Sequence, residues 1–316
     1  MQLSDTTHMR RFWILALTLA AGCGGAADSG AAKTLVAFNA GSLSRPLRAA
    51  LDSFAVGQGI TVLQESAGSL ETARKLTELG KTPDILALAD EDVFPQLLMP
   101  AHATWYARFA RNRMVLAYTS RSRRAAEITP ENWWKVVQAP GVETGRSDPQ
   151  LDPNGYRTLL VLQLAERHYQ QPGLAAALLR AMPARNVRPK EADLVGMLQA
   201  GEFDYIWSYE SMARNIGLQY VQLPSAIDLS AVADSAFYAT AQVRVRGKGA
   251  DSVTFTGRPI VYALSIPVGA PHPALAEAFV RWLASADGRR VLRANGLDAL
   301  ERPSLVGNGA PAGLVP

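Results

Sequence analysis

The sequence predicts an α/β fold built as two lobes, and three segments carry most of that prediction. Residues 34–39 (TLVAFN) read as a buried strand running through Ala40, Gly41 and Ser42 into a helix. There Leu47, Ala50, Leu51 and Phe54 recur at helical spacing. Residues 60–65 (ITVLQE) repeat the pattern: a strand ends at Ser66-Ala67-Gly68-Ser69, and a helix follows with Leu70, Ala73, Leu76 and Leu79 on one face. Residues 203–209 (FDYIWSY) form a third buried strand, which delivers Glu210 and Ser211 to the start of another helix. Strands and helices alternating in this way imply parallel sheets covered on both faces.

The remaining elements follow the same grammar. Residues 84–88 (DILAL), 114–118 (MVLAY), 219–223 (QYVQL) and 260–266 (IVYALSI) read as strands. Helical periodicity runs from Gly155 (GYRTLLVLQLAERHY), over 192–200, and over 274–284 with Leu275, Phe279 and Leu283 inward. So many strands require two sheets. The first lobe is expected from residues 33–115 plus 260–301 and the second from 116–259, with Tyr118 and Ile260 near the crossings between them. From Arg302 the chain (RPSLVGNGAPAGLVP) has no periodicity and is expected to fray as a disordered tail over 302–316.

Composition limits the function classes. The chain has 316 residues, 48% hydrophobic and 19% charged, so it can bury a large core. Its net charge of +4 is small, and the arginines form no basic stripe, which argues against a nucleic-acid partner. At the amino terminus, Met9-Arg10-Arg11 precedes an apolar run, FWILALTLAA, too short to span a bilayer but suited to a secretory signal. The run ends at Ala20-Ala21-Gly22-Cys23, and Cys23 is the sole cysteine. This resembles a bacterial lipobox, with Ala20 where leucine is usual. Residues 1–22 are therefore expected to be a lipoprotein signal, Cys23 the lipidated residue and 23–32 a flexible Gly/Ala tether, giving an extracytoplasmic, membrane-anchored protein.

Ligands in α/β sheets collect at the carboxyl ends of strands. Four loops end there: Gly41-Ser42, Gly68-Ser69, 147–155 and Glu210-Ser211. Helix starts attract anions, glycines let the backbone approach closely, and serines add hydroxyl donors. Each serine taken alone is equally suited to capping its own helix. The stretch GRSDPQLDPNGYR (145–157) adds Asp152 and two arginines. Arg146 and Arg157 are expected to pair with Asp148 and Asp152 at the surface, Asp148-Pro149 to make a turn, and Asp90 and Asp92 to begin a helix.

The segments AFNAGSLSRPL, ESAGSLETARKLTELGKTPDILALAD, FARNRMVLAYTSRS, GRSDPQLDPNGYR, RPKEADLVGMLQAGEFDYIWSYESMA and IVYALSIP together resemble the tungstate/molybdate-binding proteins of ABC importers, archaeal-type branch. Ala67 and Asn154 depart from residues common in that family. The resemblance implies a two-lobed clamshell of the type II periplasmic-binding-protein fold. It implies that Asp152 and Glu210 give carboxylate oxygens to the metal of the oxyanion and that Ser42 and Ser69 hydrogen-bond its oxo groups. Gly41 and Gly68 would bring backbone amides close. The implied partners are an ABC permease and ATPase, the protein itself acting as a monomer without cofactor. Molybdenum(VI) and tungsten(VI) can extend their shell from four oxygens to six, as sulfur and phosphorus cannot here. Against sulfate or phosphate the two acids act as bare negative charges, and two unit charges at ~4 Å repel by about 4 kcal/mol at an effective dielectric near 20. Alternatives on the same residues are a binder of sulfate or phosphate and a carboxylate-dependent hydrolase. The hydrolase lacks a nucleophile elbow and histidines at metal-ligand spacing.

Overall fold

The computed structural model describes residues 33–247 and 251–314, so the signal segment, Cys23 and the tether lie outside the described residues. The strands, in chain order, are β1 (Lys33–Ala40), β2 (Ile60–Ala67), β3 (Ile85–Leu88), β4 (Trp105–Arg111), β5 (Met114–Tyr118), β6 (Thr144–Ser147) and β7 (Val187–Arg188). They continue with β8 (Tyr205–Tyr209), β9 (Gln219–Gln222), β10 (Gln242–Arg246), β11 (Ser252–Thr256), β12 (Val261–Ser265) and β13 (Asp298–Gly307). One sheet has the order β13-β4-β12-β3-β1-β2 and a second the order β7-β6-β8-β5-β9; β10 and β11 form a separate hairpin. Central strands are buried throughout: every residue of β3 and β8 is buried, β3 being wholly apolar and β8 interrupted only by Ser208. Edge strand β2 alternates between half-buried and exposed residues instead.

The sheets are mixed rather than wholly parallel. β1 runs parallel to β2 and β3, and β6 parallel to β7 and β8. β12 is antiparallel to β3 and β4, and β5 antiparallel to β8 and β9. β5 arrives directly from β4 of the first sheet, and β12 arrives from the β10–β11 hairpin. The parallel strands point their carboxyl ends at the gap between sheets, so a strand entering from across that gap starts where they finish and must run backwards. The crossings lie at Asn112–Arg113, before β5, and at 257–260, before β12. They touch where the Asn112 N–H donates to the Ile260 carbonyl at 3.3 Å. The first crossing is thus earlier than Tyr118, and Met114 and Val115 belong to the second sheet.

The helix Ser44–Ala55 buries Leu47, Ala50, Leu51 and Phe54, and the helix Pro153–His168 buries Tyr156, Arg157, Leu160, Val161 and Leu164. The helix Ser69–Thr77 stops before Leu79, which is 65% exposed and not on the packed face. The expected frayed tail is instead structured. β13 pairs with β4 along Ser304 to Gly307, and Leu314 is 1% exposed within the core. Its backbone completes the edge of a sheet, a source of order that apolar periodicity does not register. Among the described residues no helix is long and apolar enough to cross a membrane.

If the tail is part of the core, Leu314→Ala should lower the unfolding free energy by about 2 kcal/mol in urea titrations. A frayed tail would leave the curve unchanged.

Candidate functional site

Ser42 lies in the buried turn Gly41–Leu43, and its Oγ accepts from the Tyr262 hydroxyl at 2.9 Å. Ser69 opens its helix fully buried, and its Oγ accepts from the Ala89 N–H at 3.0 Å. Neither side chain caps its own helix. Each hydroxyl takes a hydrogen bond from behind and keeps its own proton for a guest, which is what an oxyanion requires.

Asp152 sits opposite, 5% exposed, at the start of the helix Pro153–His168. Its Oδ1 accepts from the Asn154 N–H at 3.0 Å and its Oδ2 from the Glu191 N–H at 2.9 Å. One carboxylate therefore serves the starts of two helices, its own and Glu191–Ala200. Burial raises its pKa to about 6 against these hydrogen bonds and the field of Arg157.

Glu191 is the acid that the sequence reading missed. It is 1% exposed; its Oε1 accepts from Ser208 Oγ and from the Tyr209 N–H, both at 2.6 Å. Its buried Oε2 has no hydrogen-bond partner. Burial, helped by the charge of Asp152, raises its pKa to about 8. A buried carboxylate oxygen left open beside a second carboxylate is costly unless something takes it up. Glu210, the acid expected here, is elsewhere. It meets Arg113 Nε at 3.1 Å and the Tyr220 hydroxyl at 3.0 Å, and it shares no partner with Asp152. β8 ends at Tyr209, and Glu210 opens the next helix, where its N–H donates to the Arg113 carbonyl at 3.1 Å and its side chain meets Arg113 at the crossing. Lys190-Glu191 reads locally as the charged start of a helix, which is why Glu191 drew no attention.

Arg157 is also displaced from its expected surface role. It is 2% exposed and pairs with Asp90 at 2.9 Å, not with Asp152. It also donates to the Ala89 carbonyl at 2.7 Å and the Tyr209 hydroxyl at 2.8 Å. Asp90 is buried and accepts from the Tyr156 hydroxyl at 2.5 Å, while its Oδ1 accepts from the Asp92 N–H at 3.0 Å ahead of the helical turn Phe94–Leu98, so it serves both as a cross-lobe partner and at the expected helix start. Asp92 pairs with Arg258. Arg146 donates to the Ser147 carbonyl and forms no ion pair with Asp148 among the described residues, whereas Asp148 does make the expected turn, accepting from the Gln150 N–H.

The two sides are drawn together at Gly68. The Leu151 carbonyl accepts from the N–H groups of Leu70 and Glu71 at 3.1 and 3.2 Å. A Cβ on Gly68 would stand 2.2 Å from that oxygen. This close approach explains the glycine: it is required by the closed arrangement of the lobes, not by a left-handed backbone.

Gly68→Ala should therefore leave the ligand-free melting temperature nearly unchanged and weaken ligand binding by about tenfold or more in calorimetry, since the closed form is obstructed. A second expectation concerns pH. Glu191 is raised from 4.5 to about 8 and Asp152 from 3.8 to about 6, so the folded state holds these protons more tightly than the unfolded chain. Their contribution to stability is full below pH ~4 and is lost as pH rises toward 8, by up to about 1.4 kcal/mol per pH unit per group. Ligand-free Glu191→Gln should melt higher than the parent at pH 8 and converge with it near pH 5.

A family model described as bacterial extracellular solute-binding protein matches residues 35–298. The chain is 42% identical over 271 residues to an uncharacterised solute-binding protein of Petrotoga mobilis, covering 85% of this chain and 84% of that protein. It is 34% identical over 301 residues to the molybdate/tungstate-binding protein WtpA of Pyrococcus abyssi, covering 87% of each. Among solved structures it resembles the sulfate-binding protein SubI of Mycobacterium tuberculosis, with TM-score 0.61 and 15% identity over 85% of this chain and 88% of that one. It also resembles the periplasmic molybdate-binding protein of Azotobacter vinelandii, with TM-score 0.58 and 17% identity over 83% and 98%. The two-sheet architecture is that of the type II periplasmic-binding-protein fold. The chain belongs to the bacterial extracellular solute-binding proteins, of the ABC-importer type.

Proposed function

We propose that the protein captures tungstate or molybdate between its lobes and delivers it to an ABC permease driven by its ATPase. The observation that carries this reading is the buried acid pair Asp152 and Glu191, with Glu191 Oε2 unpartnered. The hydroxyls of Ser42 and Ser69 stand ready to donate to oxo groups. A carboxylate pair repels an ordinary tetrahedral anion but can bond to a metal centre able to widen its oxygen shell. Among the described residues no three His, Cys, Asp or Glu side chains gather to hold a metal ion. Two acids are suited to a cargo that brings its own oxygens. The similarity to WtpA supports the same guest. In this reading Asp152 and Glu191 contact the metal, Ser42 and Ser69 the oxo groups, and amides near Gly41 and Gly68 assist. Glu210 has no part in coordination. Closure is fixed by Arg157 bonding Asp90 across the lobes. Lipidation of Cys23 would hold the protein at the membrane.

Calorimetry with tungstate, molybdate and sulfate tests the assignment. Asp152→Asn and Glu191→Gln should each weaken the first two by about a hundredfold or more, roughly 2.7 kcal/mol. Glu210→Gln should stay within about threefold of the parent. Loss of binding in Glu210→Gln with Glu191→Gln intact would restore the sequence assignment and remove this one. X-ray absorption should show more than four oxygens around the bound metal; a tetrahedral centre would sink the reading.

A further inference from the structure

Glu210 belongs to a different feature. On the far side of the Asn112–Ser211 contact lies a cavity of about 740 Å³ whose walls carry Arg45, Arg111, Arg113, Arg214 and Arg293 against the acids Glu210 and Asp298. The formal balance of those side chains is five positive and two negative. Arg113 is committed to Glu210 and Asp228, and Arg293 to Glu301. Arg214 reaches Glu210 only at 3.9 Å and is 63% exposed. Among the described residues Arg45 and Arg111 have no carboxylate within ion-pairing distance. A concave wall with surplus guanidinium groups focuses a positive field and offers planar forks to carboxylate or phosphate oxygens.

The cavity also draws on both lobes. Arg111 ends β4 of the first sheet, and Arg45 and Arg293 come from the helices Ser44–Ala55 and Ala286–Ala294 beside it. Glu210 and Arg214 come from the short helix after β8 of the second sheet. Arg45 already donates across to the Asn215 carbonyl at 2.7 Å. A hydrogen-bond chain links the cavity to the cleft. Asn112 Nδ2 donates to Ser211 Oγ at 2.7 Å and to the Tyr262 hydroxyl at 2.8 Å, and Tyr262 donates to Ser42.

We propose that this cavity is a second anion site, taking a small multivalent carboxylate or phosphate, and that its occupancy favours the closed lobes. Such a ligand neutralises the mutual repulsion of arginines that closure brings together, so it binds the closed arrangement better than the open one. By linkage it tightens binding in the cleft, and the cleft guest tightens it in return. The site does not depend on which oxyanion fills the cleft.

Citrate is a suitable probe for the full-length protein. Calorimetry should show one citrate bound both without tungstate and with tungstate saturating. Citrate should improve tungstate affinity by about threefold, within the usual range of coupling between sites. The double variant Arg111→Ala/Arg214→Ala should weaken citrate by about tenfold or more and leave tungstate binding in citrate-free buffer unchanged. The control Arg48→Ala/Arg290→Ala, which removes two exposed charges elsewhere, should not weaken citrate. Displacement of citrate by tungstate would overturn the proposal. So would an unchanged citrate affinity in the Arg111/Arg214 variant, or an equal loss in the control. The citrate titration without tungstate stands even if the cleft holds another solute.

Discussion

The carboxylate of Asp152 holds the site together because two helices begin on it. The helix Pro153–His168 offers the Asn154 N–H to one oxygen, and the helix Glu191–Ala200 offers the Glu191 N–H to the other. Each helix start carries a partial positive charge, and together they make a buried acid tolerable there. The same interaction delivers the Glu191 side chain beside Asp152. Ser208 and the Tyr209 amide then occupy one of its oxygens and leave the other open. Burial, and for Glu191 also the charge of Asp152, makes both carboxyl groups hold their protons above the usual carboxylate range.

Closure has its own chemistry. Arg157 comes from the second lobe and bonds Asp90, the Ala89 carbonyl and Tyr209. Ala89 in turn uses its N–H to hold the Ser69 hydroxyl. One short backbone segment after β3 thus receives Arg157 on one side and holds the Ser69 hydroxyl on the other. A buried ion pair gains little net stability over an apolar contact of the same shape, but losing one partner is strongly destabilising. Such a pair suits a joint that must be either fully made or fully open.

The mixed sheets follow from the same two-lobe plan. The chain crosses between lobes at Asn112–Arg113 and again at 257–260, and each strand after a crossing enters its new sheet from the cleft end. Its direction is imposed by where it starts. The crossings also bring Asn112, Ser211 and Tyr262 into one hydrogen-bonded group behind Ser42. The crossings, Ser42 and the arginine-lined cavity are therefore contiguous.

By itself the sequence determined the alternation of strands and helices, the two Gly-Ser loops and the helix running on from Gly155. These are local matters, set by apolar spacing, turn residues and capping within a few positions. The comparisons agree with the solute-binding class that the quoted segments suggested. Tertiary structure decided what no local pattern contains. It set Glu191, at the start of a helix distant in sequence, beside Asp152 and turned Glu210 toward Arg113, contacts that only the packing of separate elements defines. It buried Arg157 against Asp90, a partner on another lobe, where a charged pair within one loop had been the simpler reading. It ordered the tail through β13, which pairs with the edge of β4, and through Leu314, which reaches the core. Pairing across long stretches of chain depends on the whole packing arrangement, which neighbouring residues alone do not encode.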